Sequence, residues 1–125
     1  MSTHAMIDIE TLGTLPESVI LSVGAVKFDP FTSNEPHDGK HWKLDADSQT
    51  EKGRFVDDKT LEWWAKQDQA IQDVAFTDEG RVPVDTFMKE LNAWLTGCEA
   101  IWCQGPQFDM VILEQLFREF DQHVH

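Results

Sequence analysis

Residues 19–28 read VILSVGAVKF, a run rich in Val and Ile that ends on Asp29-Pro30. A run of that length and β-branched content, closed by turn residues, predicts a strand. A shorter apolar run, Met6 to Ile9, precedes it and is broken by Leu12-Gly13-Thr14-Leu15-Pro16, which is turn chemistry. The polar stretch Thr32 to Lys40 predicts the turn of a meander, with a third strand at about His41 to Leu44 and an exposed polar loop over Asp45 to Asp57. The hydrophobic period then lengthens. Asp58 is expected to cap a helix running to about Lys66, with Leu61 and Trp64 on one face. Phe87, Met88, Leu91, Trp94 and Leu95 recur at helical spacing over Val84 to Leu95, and Gly97 follows as a stop. Ala100 to Cys103 reads as a short buried strand, and Phe108 to Phe120 as a last helix with an apolar face. Strands, helices, a strand and a helix in that order predict an α/β domain.

Two acids interrupt the first strand. Asp8 and Glu10 stand two positions apart, so both carboxylates project from one face while Ile7 and Ile9 project from the other. Neighbouring like charges raise the energy of the doubly ionised state, and a hard divalent cation with oxygen ligands removes that repulsion. The same pattern also fits ordinary charges on a solvated edge. Asp109 follows the Ala100 strand and the Gly105-Pro106 turn. It reads either as a metal ligand or as an acid that complements the start of its helix. Trp63 and Trp64 are adjacent, and neighbours on a helix point about 100° apart. Trp64 is therefore expected in the core, leaving Trp63 for a nucleobase, a second subunit or a neighbouring loop.

Composition narrows the partners. Ten Lys+Arg against 23 Asp+Glu give a net charge of −13, the wrong sign for a protein that grips duplex backbone along a broad face. Two divalent cations would offset only four of these charges. A small pocket for a single-stranded end fits better. No apolar run reaches the roughly 18 residues of a membrane span, and Met1-Ser2-Thr3-His4 is not a secretory leader. Cys98 and Cys103 are the only cysteines and form neither a CxxC pair nor a disulfide framework, so a reduced, cytoplasmic setting is expected. Zinc motifs, P-loops and HExxH patterns are absent from the sequence.

Asp8-Ile9-Glu10-Thr11 resembles the first motif, D-x-E-T on the first strand, of the DEDD (DnaQ-like) 3′–5′ exonucleases of the RNase H-like superfamily. Trp102-Cys103-Gln104-Gly105-Pro106-Gln107-Phe108-Asp109 resembles the second motif, W-G-N-G-x-x-F-D. Thr60-Leu61-Glu62-Trp63-Trp64 and Ile112-Leu113 resemble a compact bacterial and phage subgroup of these exonucleases and exoribonucleases. Cys103 and Gln104 stand where the family has Gly and Asn, although Gln104 keeps an amide. The family's third motif, a His or Tyr followed by an Asp on a late helix, is missing. The chain has no Tyr, and five positions after His4, His37 and His41 stand Ile9, Trp42 and Ala46. His123 and His125 are expected to be tail residues.

The resemblance implies an RNase H-like mixed sheet, a three-strand antiparallel meander plus a parallel strand, flanked by helices. It implies one domain, 1–125, that is C-terminally incomplete. It also implies two Mg²⁺ or Mn²⁺ ions, one held by Asp8 and Glu10 and one by Asp8 with Asp109. The expected partner is the 3′ end of single-stranded DNA or RNA, met by the Thr11 backbone, the Leu12 side chain, Gln104 and Trp63, with Phe108 in the core. Compact relatives make a homodimer an expected assembly. Lacking the third motif, these residues alone are expected to cleave weakly or not at all. Two other readings stay open: a metal-binding RNase H-like module that serves only interactions, and an unrelated hydrolase using Glu10 and Asp109.

Overall fold

The computed structural model describes residues 3–32, 35–103 and 106–120. Along the chain come β1 (His4–Thr11), β2 (Ile20–Phe28), β3 (His37–Leu44), α1 (Asp47–Glu51), α2 (Asp58–Ala65), α3 (Gln69–Phe76), β4 (Arg81–Val82), α4 (Val84–Leu95), β5 (Ala100–Trp102) and α5 (Pro106–Glu119). The strands form one sheet in the order β4-β3-β2-β1-β5. β1, β2 and β3 pair antiparallel, whereas β5 lies parallel to β1 and β4 parallel to β3. This is the expected meander plus parallel strand, with β4 added at the far edge. No helix among the described residues is long and apolar enough to cross a membrane.

Strand alternation divides β1 into two faces. Ala5, Ile7 and Ile9 are buried, while Met6, Asp8 and Glu10 are exposed, as a period of two requires. The buried face packs under α4 and α5, through Phe87, Met88 and Leu91 of the first and Ile112, Leu113, Leu116 and Phe117 of the second. Burying a side chain of this size contributes about 1.5–3 kcal/mol relative to leaving it in water. α4 has its expected bounds, and Gly97, at φ 87°, takes the left-handed position just past its end.

A β-bulge separates two cores. The pairing of β1 with β2 keeps one register from His4↔Phe28 to Glu10↔Ser22 and then slips to Thr11↔Ile20. Leu21 is the extra residue, and side-chain parity along β2 reverses across it. Ile20 and Val23 therefore both enter the main core, while Leu21 turns into a second cluster with Leu12, Val19 and Trp64. The bulge lies immediately beside Glu10, at the end of β1 where the chain leaves the sheet.

Several expectations need correction. Residues 45–57 are not a plain exposed loop, because they contain α1 and two buried polar side chains, Gln49 and Arg54. Gln49 Nε2 donates to the carbonyls of Ile20 and Asp45, each at 2.9 Å, and its Oε1 accepts from Ile20 N at 2.8 Å. Arg54 donates to the carbonyls of Pro16 and Ser18 and, at 2.8 Å, to Glu119 of α5. β3 begins at His37 instead of near His41, and α3 and β4 fall where no element was expected. Asp57, not Asp58, caps α2, its carboxylate accepting from Lys59 N at 3.1 Å. Leu61 is exposed, so α2 buries only Trp64. β5 is not fully buried either: with no strand pairing its outer edge among the described residues, Trp102 remains 49% exposed.

Candidate active site

β1 presents Asp8 and Glu10 on its exposed face. The parallel pairing of β5 with β1, from His4↔Ala100 to Met6↔Trp102, carries the chain toward the same end of the sheet. α5 then starts, with Asp109 in its first turn and only 5% exposed. Burial is the first cause that raises the Asp109 carboxyl above the ordinary carboxylate range, and the Asp8 charge is the second. The Cys103 thiol is pushed up to about 11, first by burial, then by Asp109 and then by Asp8. Asp8, Cys103 and Asp109 thus share one neighbourhood, in which two like charges face each other in partly desolvated surroundings.

Glu10 follows two residues along the same exposed face of β1. It lines a cleft of about 580 Å³ with Thr11, Thr14, Lys59, Trp63 and the edge of Trp64. The cleft wall is fixed by backbone. Thr11 Oγ1 donates to the Gly13 carbonyl at 2.7 Å, and Trp64 Nε1 donates to the Thr11 carbonyl at 3.1 Å. A Cβ at Gly13 would come within 2.5 Å of Ser18 Oγ, so the turn after β1 closes only around a glycine. Trp63 is 55% exposed and Trp64 6%, which is the division expected of the pair. Their rings meet edge to face with centroids 5.0 Å apart.

Among the described residues, no three His, Cys, Asp or Glu side chains converge as a metal cage. The expected carboxylates divide into Asp8 with Asp109 and, nearby on the same strand face, Glu10. Asp8 and Asp109 still fit a hard divalent cation in kind: both offer oxygen, and a cation between them would relieve their repulsion. Leu12 departs from expectation. Its side chain is 93% removed from solvent in the second core cluster and does not line the cleft, so it is not placed to wedge against a base. The Thr11 carbonyl is likewise already engaged by Trp64. Gln104, His123, His125 and the side chain of Phe108 lie outside the described residues.

Cys103, Asp57 and Lys59 were not foreseen as neighbours of the site. For Cys103 the signal was available, since it replaces the Gly of the second motif directly after β5. Asp57 and Lys59 gave none, because the start of α2 is brought to the end of β1 by contacts distant in sequence, Asp57 N to the Leu12 carbonyl and Trp64 Nε1 to the Thr11 carbonyl.

A family model described as the 3′-5′ exoribonuclease Rv2179c-like domain matches residues 3–125. No curated protein matches the chain in sequence. Among solved structures, Escherichia coli exonuclease I in complex with a dT13 oligonucleotide superimposes with a TM-score of 0.66 at 15% identity, over 94% of this chain and 24% of that one. The zinc-bound form of an E. coli exonuclease I–ssDNA complex gives 0.65 at 14% identity, over 94% and 24%. Exonuclease I of Methylocaldum szegediense gives 0.65 at 13% identity, over 95% and 24%. The chain thus spans about a quarter of the length of the exonuclease I chains it matches. At these identities the likeness establishes the fold, which is RNase H-like.

Proposed function

The chain belongs to the Rv2179c-like 3′–5′ exoribonuclease domain family, among the DnaQ-like, RNase H-like exonucleases, and from that membership we propose that it hydrolyses single-stranded DNA or RNA from the 3′ end. The observation that supports this most directly is the placement of Asp109, buried at the start of α5 and close enough to Asp8 of β1 for the Asp8 charge to add to burial in raising its carboxyl, a pair of carboxylates that a hard cation would neutralise. Asp8 and Asp109 would hold such an ion, and Glu10, on the same strand face, would add oxygen to that ion or a second one. Mg²⁺ or Mn²⁺ suits these donors. When bound, such ions activate water and stabilise a leaving 3′-oxygen during in-line displacement at phosphorus.

The remaining work falls to the protein's own groups. Trp63 offers an exposed ring on which a terminal base can stack, a contact worth about 1–3 kcal/mol per base. Thr11 and Gly13 fix the wall opposite, and the buried Trp64 holds α2 against it. Orientation of the 3′-terminal nucleotide between these walls sets the bond presented to Asp8 and Asp109.

One observation favours a second reading, a metal-binding module that does not cleave: none of the His residues is followed five positions later by Asp, and Tyr is absent. Digestion of a 5′-labelled single-stranded oligonucleotide in Mn²⁺ separates the two. Exonuclease action shortens the label progressively from the 3′ end, slowly for these residues alone, and Asp8→Ala abolishes it. Cleavage at internal positions, or cleavage that survives Asp8→Ala, would overturn the assignment. Mn²⁺ and oligonucleotide binding without any shortening, by these residues and by a C-terminally extended form alike, would establish the module.

A further inference from the structure

The cleft beside Glu10 contains a charge that the nuclease reading has not used. Asp57, Glu10 and Lys59 are its charged lining residues. The Asp57 carboxylate is committed to the start of α2, accepting from Lys59 N at 3.1 Å and from Thr60 Oγ1 at 3.3 Å. The Lys59 side chain is exposed and makes no ion pair among the described residues. Four other cations are engaged elsewhere. Arg54 and Arg81 donate to backbone carbonyls, Lys27 pairs with Asp38 at 3.2 Å, and Lys52 lies over the Phe120 ring. Lys59 is the single cation that lines this cleft.

Its position on the helix matters as much as its sign. Lys59 and Trp63 stand four residues apart in α2, so they occupy one helix face about a turn apart. An ammonium and an exposed indole on one face match the two recurrent parts of a single strand, phosphate and base. On a chain of net charge −13, a polyanion entering past Glu10 meets repulsion that this cation offsets locally.

We propose that Lys59 is a phosphate-binding residue of the cleft, holding a backbone phosphate of the strand whose terminal base lies on Trp63. The proposal rests on the nuclease reading and adds to it the residue that fixes the strand's path. A lysine on a phosphate carries no base preference, so its effect is uniform across sequences and visible in salt dependence.

The test is anisotropy of 5′-fluorescein-labelled (dT)6 and (rA)6 binding to the protein in Ca²⁺, across a KCl series. Wild type, Lys59→Gln, Lys59→Arg and Trp63→Ala are compared, with circular dichroism confirming that each is folded. Lys59→Gln is expected to weaken both oligonucleotides about tenfold at low salt and to reduce the slope of log K against log[salt] by about 0.7. Lys59→Arg keeps the slope, and Trp63→Ala weakens binding with the slope unchanged. If Trp63→Ala loses affinity while Lys59→Gln matches wild type in affinity and slope, the role of Lys59 is refuted and the cleft reading stands. If the wild type binds neither oligonucleotide, the nuclease reading fails and takes this proposal with it.

Discussion

Asp109 carries a cost in the absence of metal. Its carboxyl is raised by burial and by Asp8, so the ionised form is less favoured in the folded state than in the unfolded one. The sign follows from linkage: the stability this group contributes is fully present below the ordinary carboxylate range and is lost as pH rises through its elevated folded-state value. Asp109→Asn is therefore expected to raise the melting temperature of the metal-free protein at neutral pH by about 2–4 °C. The gain should vanish under acid conditions, and Mn²⁺ binding should be lost in the same variant. Thermal melts in EDTA across pH, with calorimetric Mn²⁺ titration, check both. Cys103 reports on the same neighbourhood. With its thiol pushed up to about 11 by burial, Asp109 and Asp8, it should alkylate slowly in EDTA. A cation held by the two carboxylates stabilises the thiolate, so Mn²⁺ should accelerate alkylation of Cys103 relative to Cys98, as read by peptide mass spectrometry.

At the scale of elements, the bulge between β1 and β2 depends on a side chain from α1. Gln49 is fully buried and satisfies both the N–H and the C=O of Ile20, groups that would otherwise be orphaned beside the register slip. Gln49→Ala should destabilise the fold by about 3 kcal/mol, since buried unpaired groups cost about 1–3 kcal/mol each; chemical denaturation measures it. This element also marks where the sequence stopped being informative. The shared face of Asp8 and Glu10 was legible because a strand period of two leaves no choice, and α4 was legible because its apolar residues repeat over three turns before Gly97. Gln49 and Arg54 were not, because their partners, Ile20, Ser18 and Glu119, are distant in sequence and a lone polar residue has no period. α3 was hidden for another reason: its apolar residues Ile71, Val74 and Ala75 repeat over only two turns in an eight-residue helix that buries none of them. Leu12 misled through resemblance, since the bulge turns this stretch into the second core.

For the whole molecule, acidity sets the working conditions. A net charge of −13 repels nucleic acid everywhere except where cations gather, so binding should require divalent ions and should concentrate at strand ends. Turnover by these 125 residues is expected to be feeble even in Mn²⁺, because the carboxylates present do not form a complete cage among the described residues and the third motif is missing. Added salt should weaken oligonucleotide binding while leaving Mn²⁺ affinity nearly unchanged, which separate titrations would show.

The pairing of β1 with β5 has a further consequence, for biosynthesis. β1 pairs with β2, and β2 with β3, soon after they are made, but the parallel partner of β1 begins at position 100, and their register among the described residues spans three residue pairs. Contacts so remote in sequence close late, after local pairings have lowered the cost of the loop. During synthesis, then, the meander can form while Asp8 is still alone, and Asp109 reaches it only after β5 and the start of α5 have emerged. The nascent protein is thereby spared the repulsion between Asp8 and Asp109 until the core that confines them is in place.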